Sequence, residues 1–67
     1  MKKRDLIKQL RALAAQRGHD LGFVREGRNH EVWTIGGTRI VIPRHREINE
    51  RTARSILTRA KEVSDDR

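Results

Sequence analysis

The stretch Leu21-Gly22-Phe23-Val24-Arg25-Glu26-Gly27-Arg28-Asn29-His30-Glu31-Val32-Trp33-Thr34-Ile35-Gly36-Gly37-Thr38-Arg39-Ile40-Val41-Ile42-Pro43 decides the fold class. It holds short runs rich in β-branched and aromatic residues, punctuated by turn residues. Leu21 to Glu26 reads as a strand, with Leu21 and Phe23 on one side and Val24 on the other. Gly27-Arg28-Asn29 is a turn, and His30 to Ile35 is a second strand. Gly36-Gly37 is a two-residue hairpin loop able to take the positive φ values of a type I′ turn. Thr38 to Ile42 is a third strand, ended by Pro43, which has no N–H for a ladder and holds Ile42 extended. Connections this short predict an antiparallel meander.

Outward from that stretch the apolar period changes to that of a helix. Leu6, Leu10, Leu13 and Ala14 share one face of a helix expected from Asp5 to Arg17, and Gly18 supplies its stop. Arg4, Lys8 and Arg11 lie on another face of the same helix. On the far side, Asn49 is a favoured N-cap, and Glu50 puts negative charge in the first turn. Ile48 is spaced to staple against Ala53. Ala53, Ile56, Leu57 and Ala60 form the apolar face of this second helix. Each helix must bury one face, and one side of the sheet is the surface on offer. The expected fold is therefore α+β, ordered α-β-β-β-α, a three-stranded antiparallel sheet with both helices packed on one face and the other face open. A single domain over residues 1–67 is expected, with 64–67 as a frayed tail.

Composition narrows the function. A chain of 67 residues with 34% hydrophobic side chains builds a thin core. The absence of Cys excludes disulfides, Cys-based zinc sites and thiol nucleophiles. No apolar run approaches the ~20 residues a membrane span needs. The start Met1-Lys2-Lys3-Arg4-Asp5 leads into an amphipathic pattern rather than the apolar stretch of a signal peptide, so a cytoplasmic location is expected. Sixteen Lys+Arg against nine Asp+Glu give a net charge of +7, and the pI is near 11.3. A field this positive favours anionic partners, and Arg forks match phosphate oxygens and stack on bases. The helix bearing Arg4, Lys8 and Arg11 has no Trp or Phe on its apolar face, which argues against a membrane surface and leaves nucleic acid or an acidic protein.

Three histidines are the candidates for proton transfer. His19 follows the helix stop and reads as a surface turn residue; His45 lies in the loop Pro43-Arg44-His45-Arg46; His30 opens the second strand. Their spacing matches no metal-ligand pattern, and no cofactor is implied. Ser55 and Ser64 have no nucleophile elbow around them. Glu26 and Glu31 flank the turn and, in so basic a chain, are expected to pair with Arg25 or Arg28. RNA cleavage demands less than these chemistries. The 2′-hydroxyl is the nucleophile, one imidazole moves a proton, and guanidinium groups stabilise the developing charge.

Gly27-Arg28-Asn29-His30-Glu31-Val32-Trp33, Ile42-Pro43-Arg44-His45-Arg46-Glu47-Ile48 and Thr52-Ala53-Arg54-Ser55-Ile56-Leu57 together resemble the HicA family of bacterial toxins. These are small ribonucleases that cleave messenger RNA and are neutralised by a HicB antitoxin. The resemblance runs from Asp5 to Ala60 and implies a fold like a double-stranded-RNA-binding domain. The family's catalytic His opens the second strand after a Gly-containing turn, a slot that falls on His30. Where the family usually has Gly-Ser-His, this chain has Arg28-Asn29-His30, with Gly27 one residue earlier. Asn tolerates positive φ, which lets such a turn close. The resemblance implies His30 as the catalytic residue; His30 is accordingly read as general acid/base, and Arg28, Asn29, Arg44, His45 and Arg46 are expected to contact RNA. The resemblance also implies a HicB-like partner, and the net charge of +7 calls for an acidic one. The open sheet face, including whichever of Val32 and Trp33 points outward, is expected to offer it an apolar anchor. The alternative is a non-catalytic RNA-binding module working through Arg51 and Arg54 at the start of the last helix.

Overall fold

A computed structural model describes residues 1–63; the tail expected at 64–67 lies outside them. Helix α1 spans Lys3–Gln16, strands β1, β2 and β3 span Leu21–Glu26, His30–Ile35 and Thr38–Pro43, and helix α2 spans Glu50–Lys61. The strands form an antiparallel sheet in the order β1-β2-β3. The expected α-β-β-β-α architecture is the one observed.

Alternation along the strands sorts the two sheet faces. Ile35, Ile40 and Ile42 are fully buried and join Leu6, Leu10 and Ala14 of α1 and Ala53, Ile56 and Ala60 of α2 in one apolar cluster. Both helices therefore cover the same face. Trp33 packs against that cluster, so Val32 is the residue that points to the other face, in register with the half-exposed Val41. Phe23 sits opposite Trp33, the two rings edge-to-face at 5.2 Å, yet Phe23 remains 52% exposed. Burial along β1 falls away after Leu21, because α1 covers only the start of this edge strand. An extra residue in β1 between Phe23 and Arg25 makes a bulge, and Val24 there is also exposed.

The helix ends follow physical rules of two kinds. At α2 the signal is local: the Asn49 side chain accepts from Arg51 N–H at 2.8 Å, and Ile48 and Ala53 are both buried beside it. At the end of α1, Gly18 takes φ 75°, Gly18 N–H donates to Ala15 and His19 N–H to Ala14, a Schellman arrangement. The start of α1 is tertiary. Helix α1 begins at Lys3 rather than Asp5, because Lys3 N–H donates to the Arg46 carbonyl at 2.7 Å. Ile48 N–H donates to Met1, and Lys2 bridges Glu47, so the first residues lie alongside the β3–α2 loop.

The two hairpin loops differ. Ile35 pairs with Thr38 across Gly36 (φ 55°) and Gly37 (φ 84°), as the type I′ expectation requires. His19 is not a free-standing surface turn residue: its half-buried ring packs on Gly36, where an added Cβ would lie 2.7 Å from ring atoms. Strand β3 also runs one residue further than expected, with Pro43 in register with His30. An edge strand tolerates this because the missing N–H faces away from the ladder.

Candidate active site and basic groove

The turn end of the β1–β2 hairpin carries the sequence candidates. Glu26 pairs with Glu31 across the ladder, and Gly27 N–H donates to the His30 carbonyl at 2.7 Å, closing the turn Gly27-Arg28-Asn29. None of the three residues needs positive φ. The left-handed tolerance expected of Asn29 is thus not used. Gly27 serves by its size, because a Cβ there would sit 3.1 Å from the His30 carbonyl oxygen. His30, Arg28 and Asn29 are all exposed, so a large anionic substrate can reach them.

Arg44 holds the turn in place. Its Nη1 donates to the carbonyls of Gly27 at 3.0 Å and Arg28 at 3.2 Å, and its Nη2 lies 3.0 Å from Glu26 Oε1. Its backbone N–H donates to the Asn29 carbonyl at 3.1 Å. A planar guanidinium can span three acceptors at once, which a lysine ammonium on a flexible stem does poorly. The end of β3 is thereby tied to the turn that precedes His30.

The acidic residues find partners other than those expected. Glu26 pairs with Arg44, and Glu31 with Lys3 at 2.7 Å, rather than with Arg25 or Arg28. Glu31 lies on the helix-covered side of β2, opposite Ile42, where neither of those arginines reaches. Its other oxygen accepts from the Trp33 indole N–H at 3.0 Å. Burial pushes the Glu31 carboxyl up, but the hydrogen bonds from Lys3 and Trp33 and the charges of Lys3 and Arg44 outweigh it and hold the group below its ordinary range.

On the other side of Arg44 lies an open groove of about 710 Å³, lined by Lys2, Lys3, Arg4, Arg44, His45, Arg46 and Glu47. The expected RNA-contact residues thus divide: Arg28 and Asn29 sit on the turn with His30, whereas His45 and Arg46 line the groove, and Arg44 borders both. The contribution of residues 2–4 was not foreseen from the sequence. The only hint was that two basic runs, 2–4 and 44–46, would gain charge density if brought together. Among the described residues, no three His, Asp or Glu side chains are grouped so as to hold a metal ion, and no helix is long and apolar enough to cross a membrane.

No model of a known protein family, no curated protein and no solved structure matches the chain.

Proposed function

We propose that the chain is a cytoplasmic ribonuclease toxin of HicA type, with His30 as its general acid/base. The observation that carries the reading is the exposed His30 at the head of β2, behind a turn clamped by Arg44, a residue that also lines a cationic groove. In the proposed step the His30 imidazole takes the proton of a ribose 2′-hydroxyl, and the 2′-oxygen attacks the adjacent phosphorus. The P–O5′ bond breaks, and the departing 5′-oxygen takes a proton from water or from His45. A 2′,3′-cyclic phosphate and a 5′-hydroxyl result. Arg28, exposed on the turn, is the contact proposed for the phosphate oxygens. Arg44 acts first as a positioning residue, since three of its N–H···O contacts are already made within the protein.

The proposed partner is an acidic HicB-like antitoxin. Phe23, Val24 and Val41 are about half exposed and offer it apolar anchors beside a strongly positive surface. The second reading is a non-catalytic RNA-binding module, supported by the exposed Arg51 and Arg54 in the first turns of α2. One experiment separates the two: purified protein with messenger RNA in EDTA, wild type beside His30→Ala. A nuclease cleaves and loses cleavage in the variant with its circular dichroism unchanged. Absence of cleavage by the wild type, with RNA binding retained, would establish the module instead.

A further inference from the structure

Within the ribonuclease reading, the open groove shares Arg44 with the turn that precedes His30. Of its five cations, two are committed inside the protein: Lys3 to Glu31 and Arg44 to Glu26. The side chains of Lys2, Arg4 and Arg46 have no ion-pair or hydrogen-bond partner among the described residues. Backbone contacts nonetheless bring these like charges together: Lys3 N–H to the Arg46 carbonyl, Ile48 N–H to Met1, and the Lys2–Glu47 bridge. The one carboxylate of the lining, Glu47, lies 3.6 Å from the N-terminal ammonium, so Lys2, Arg4 and Arg46 stay uncompensated in a concave wall, which focuses positive potential and concentrates polyanions.

We propose that this groove holds the sugar-phosphate backbone of single-stranded RNA leading away from His30, with Lys2, Arg4 and Arg46 each contacting a phosphate. Two observations give the direction. Pro43 is the ladder partner of His30, and Arg44 forms both the end of the turn clamp and the start of the groove lining. His30 shares the open sheet face with Val32, whereas Lys3 of the groove meets Glu31 on the helix-covered side, so a strand cleaved beside His30 enters the groove by passing round Arg44. The lining also separates this surface from a protein interface. It contains no apolar side chain, whereas a protein partner's binding energy concentrates in buried apolar and aromatic anchors. Among the described residues, the most exposed large apolar side chains, Phe23, Val24 and Val41, belong to the sheet, and Met1, less exposed, is not part of the groove lining.

The inference rests on the ribonuclease reading only for the position of the reacting phosphate, and its test is made without cleavage. In a His30→Ala background, a fluorescein-labelled twelve-nucleotide uridine RNA is titrated by anisotropy over a series of salt concentrations. Arg4→Gln with Arg46→Gln is expected to shallow the slope of log K against log salt by about 1.4, that is ~0.7 per phosphate contact. Binding near 0.15 M salt then weakens roughly tenfold. Lys2→Gln adds a further ~0.7. Arg39→Gln, exposed at the hairpin end of β3, leaves the slope unchanged. An unchanged slope in the double variant overturns the proposal, as does tighter binding of a polyglutamate peptide or of an RNA duplex at the groove. Cleavage by the wild type with an unchanged double-variant slope would remove the groove and leave the ribonuclease. A groove-dependent slope without wild-type cleavage would do the reverse.

Discussion

Arg44 shows how one side chain converts a loop into a positioned site. Its guanidinium reaches two turn carbonyls and the Glu26 carboxylate, and the turn leads directly into His30. Arg44→Lys keeps the charge and loses the fork. Displacing a catalytic group by about 1 Å costs ~100-fold in rate. Cleavage by Arg44→Lys is therefore expected to fall by about that factor in kcat with little change in KM. A variant with full kcat would show that the turn holds its shape unaided. Glu31 makes a different prediction at this scale. Its folded carboxyl titrates below its ordinary value, so the stability it contributes is fully present above the unfolded pKa and is lost as pH falls through the folded one. Thermal melts should drop below about pH 4.5, and Glu31→Gln should flatten that part of the profile while costing about 1–2 kcal/mol at neutral pH. A Gln variant with the wild-type acid slope would assign the pH dependence to other carboxylates.

The elements depend on single residues at their ends. Gly36 and Gly37 share positive φ, but a Cβ at Gly36 would meet the His19 ring at 2.7 Å, whereas at Gly37 nothing lies within 4 Å. Gly37→Ala is expected to cost about 1 kcal/mol, the strain of the backbone alone. Gly36→Ala should cost about 2–3 kcal/mol, because the ring that packs the end of α1 onto the hairpin must also move. Equal midpoints in urea for the two variants would mean that His19 swings away without penalty. At the head of α2, Asn49→Ala removes the acceptor for Arg51 N–H and should cost about 1 kcal/mol. Helix α1 has no side-chain cap, and its start depends on the Arg46 carbonyl. Its first turn is expected to show the faster amide exchange of the two helix starts.

At the scale of the whole molecule, the basic groove is distinct from the exposed apolar residues of the sheet. The cations of residues 2–4 and 44–46 gather in one groove, while Phe23, Val24 and Val41 are presented by the sheet. The proposed RNA strand and the proposed acidic antitoxin would therefore engage different surfaces. On the proposed toxin reading, a purified complex with an acidic antitoxin is expected to cleave RNA far more slowly than the free chain. Equal activity in both states would remove the toxin–antitoxin reading and leave the ribonuclease standing. Docking should also change the fluorescence of Trp33, which stacks edge-on against the exposed Phe23. An antitoxin seated elsewhere would leave that fluorescence unchanged.

The sequence by itself determined what depends on near neighbours along the chain. Alternation in 21–43 and the helical spacing of Leu6, Leu10 and Ala14 and of Ala53, Ile56 and Ala60 specify the elements, because burial of one face is a periodic requirement. The Gly36-Gly37 turn and the Asn49 cap were equally legible, since each is satisfied within a few residues. Which of Val32 and Trp33 turns inward was not, because both are apolar and only packing against the helices distinguishes the faces. The same holds for the site. Position alone put His30 at the head of a strand, but Arg44 on the turn, Lys3 on Glu31 and Lys2 and Arg4 beside Arg46 are contacts between residues distant along the chain. Charge pairing has no period, so only the folded geometry decided which carboxylates neutralise which cations, and which cations were left facing the groove.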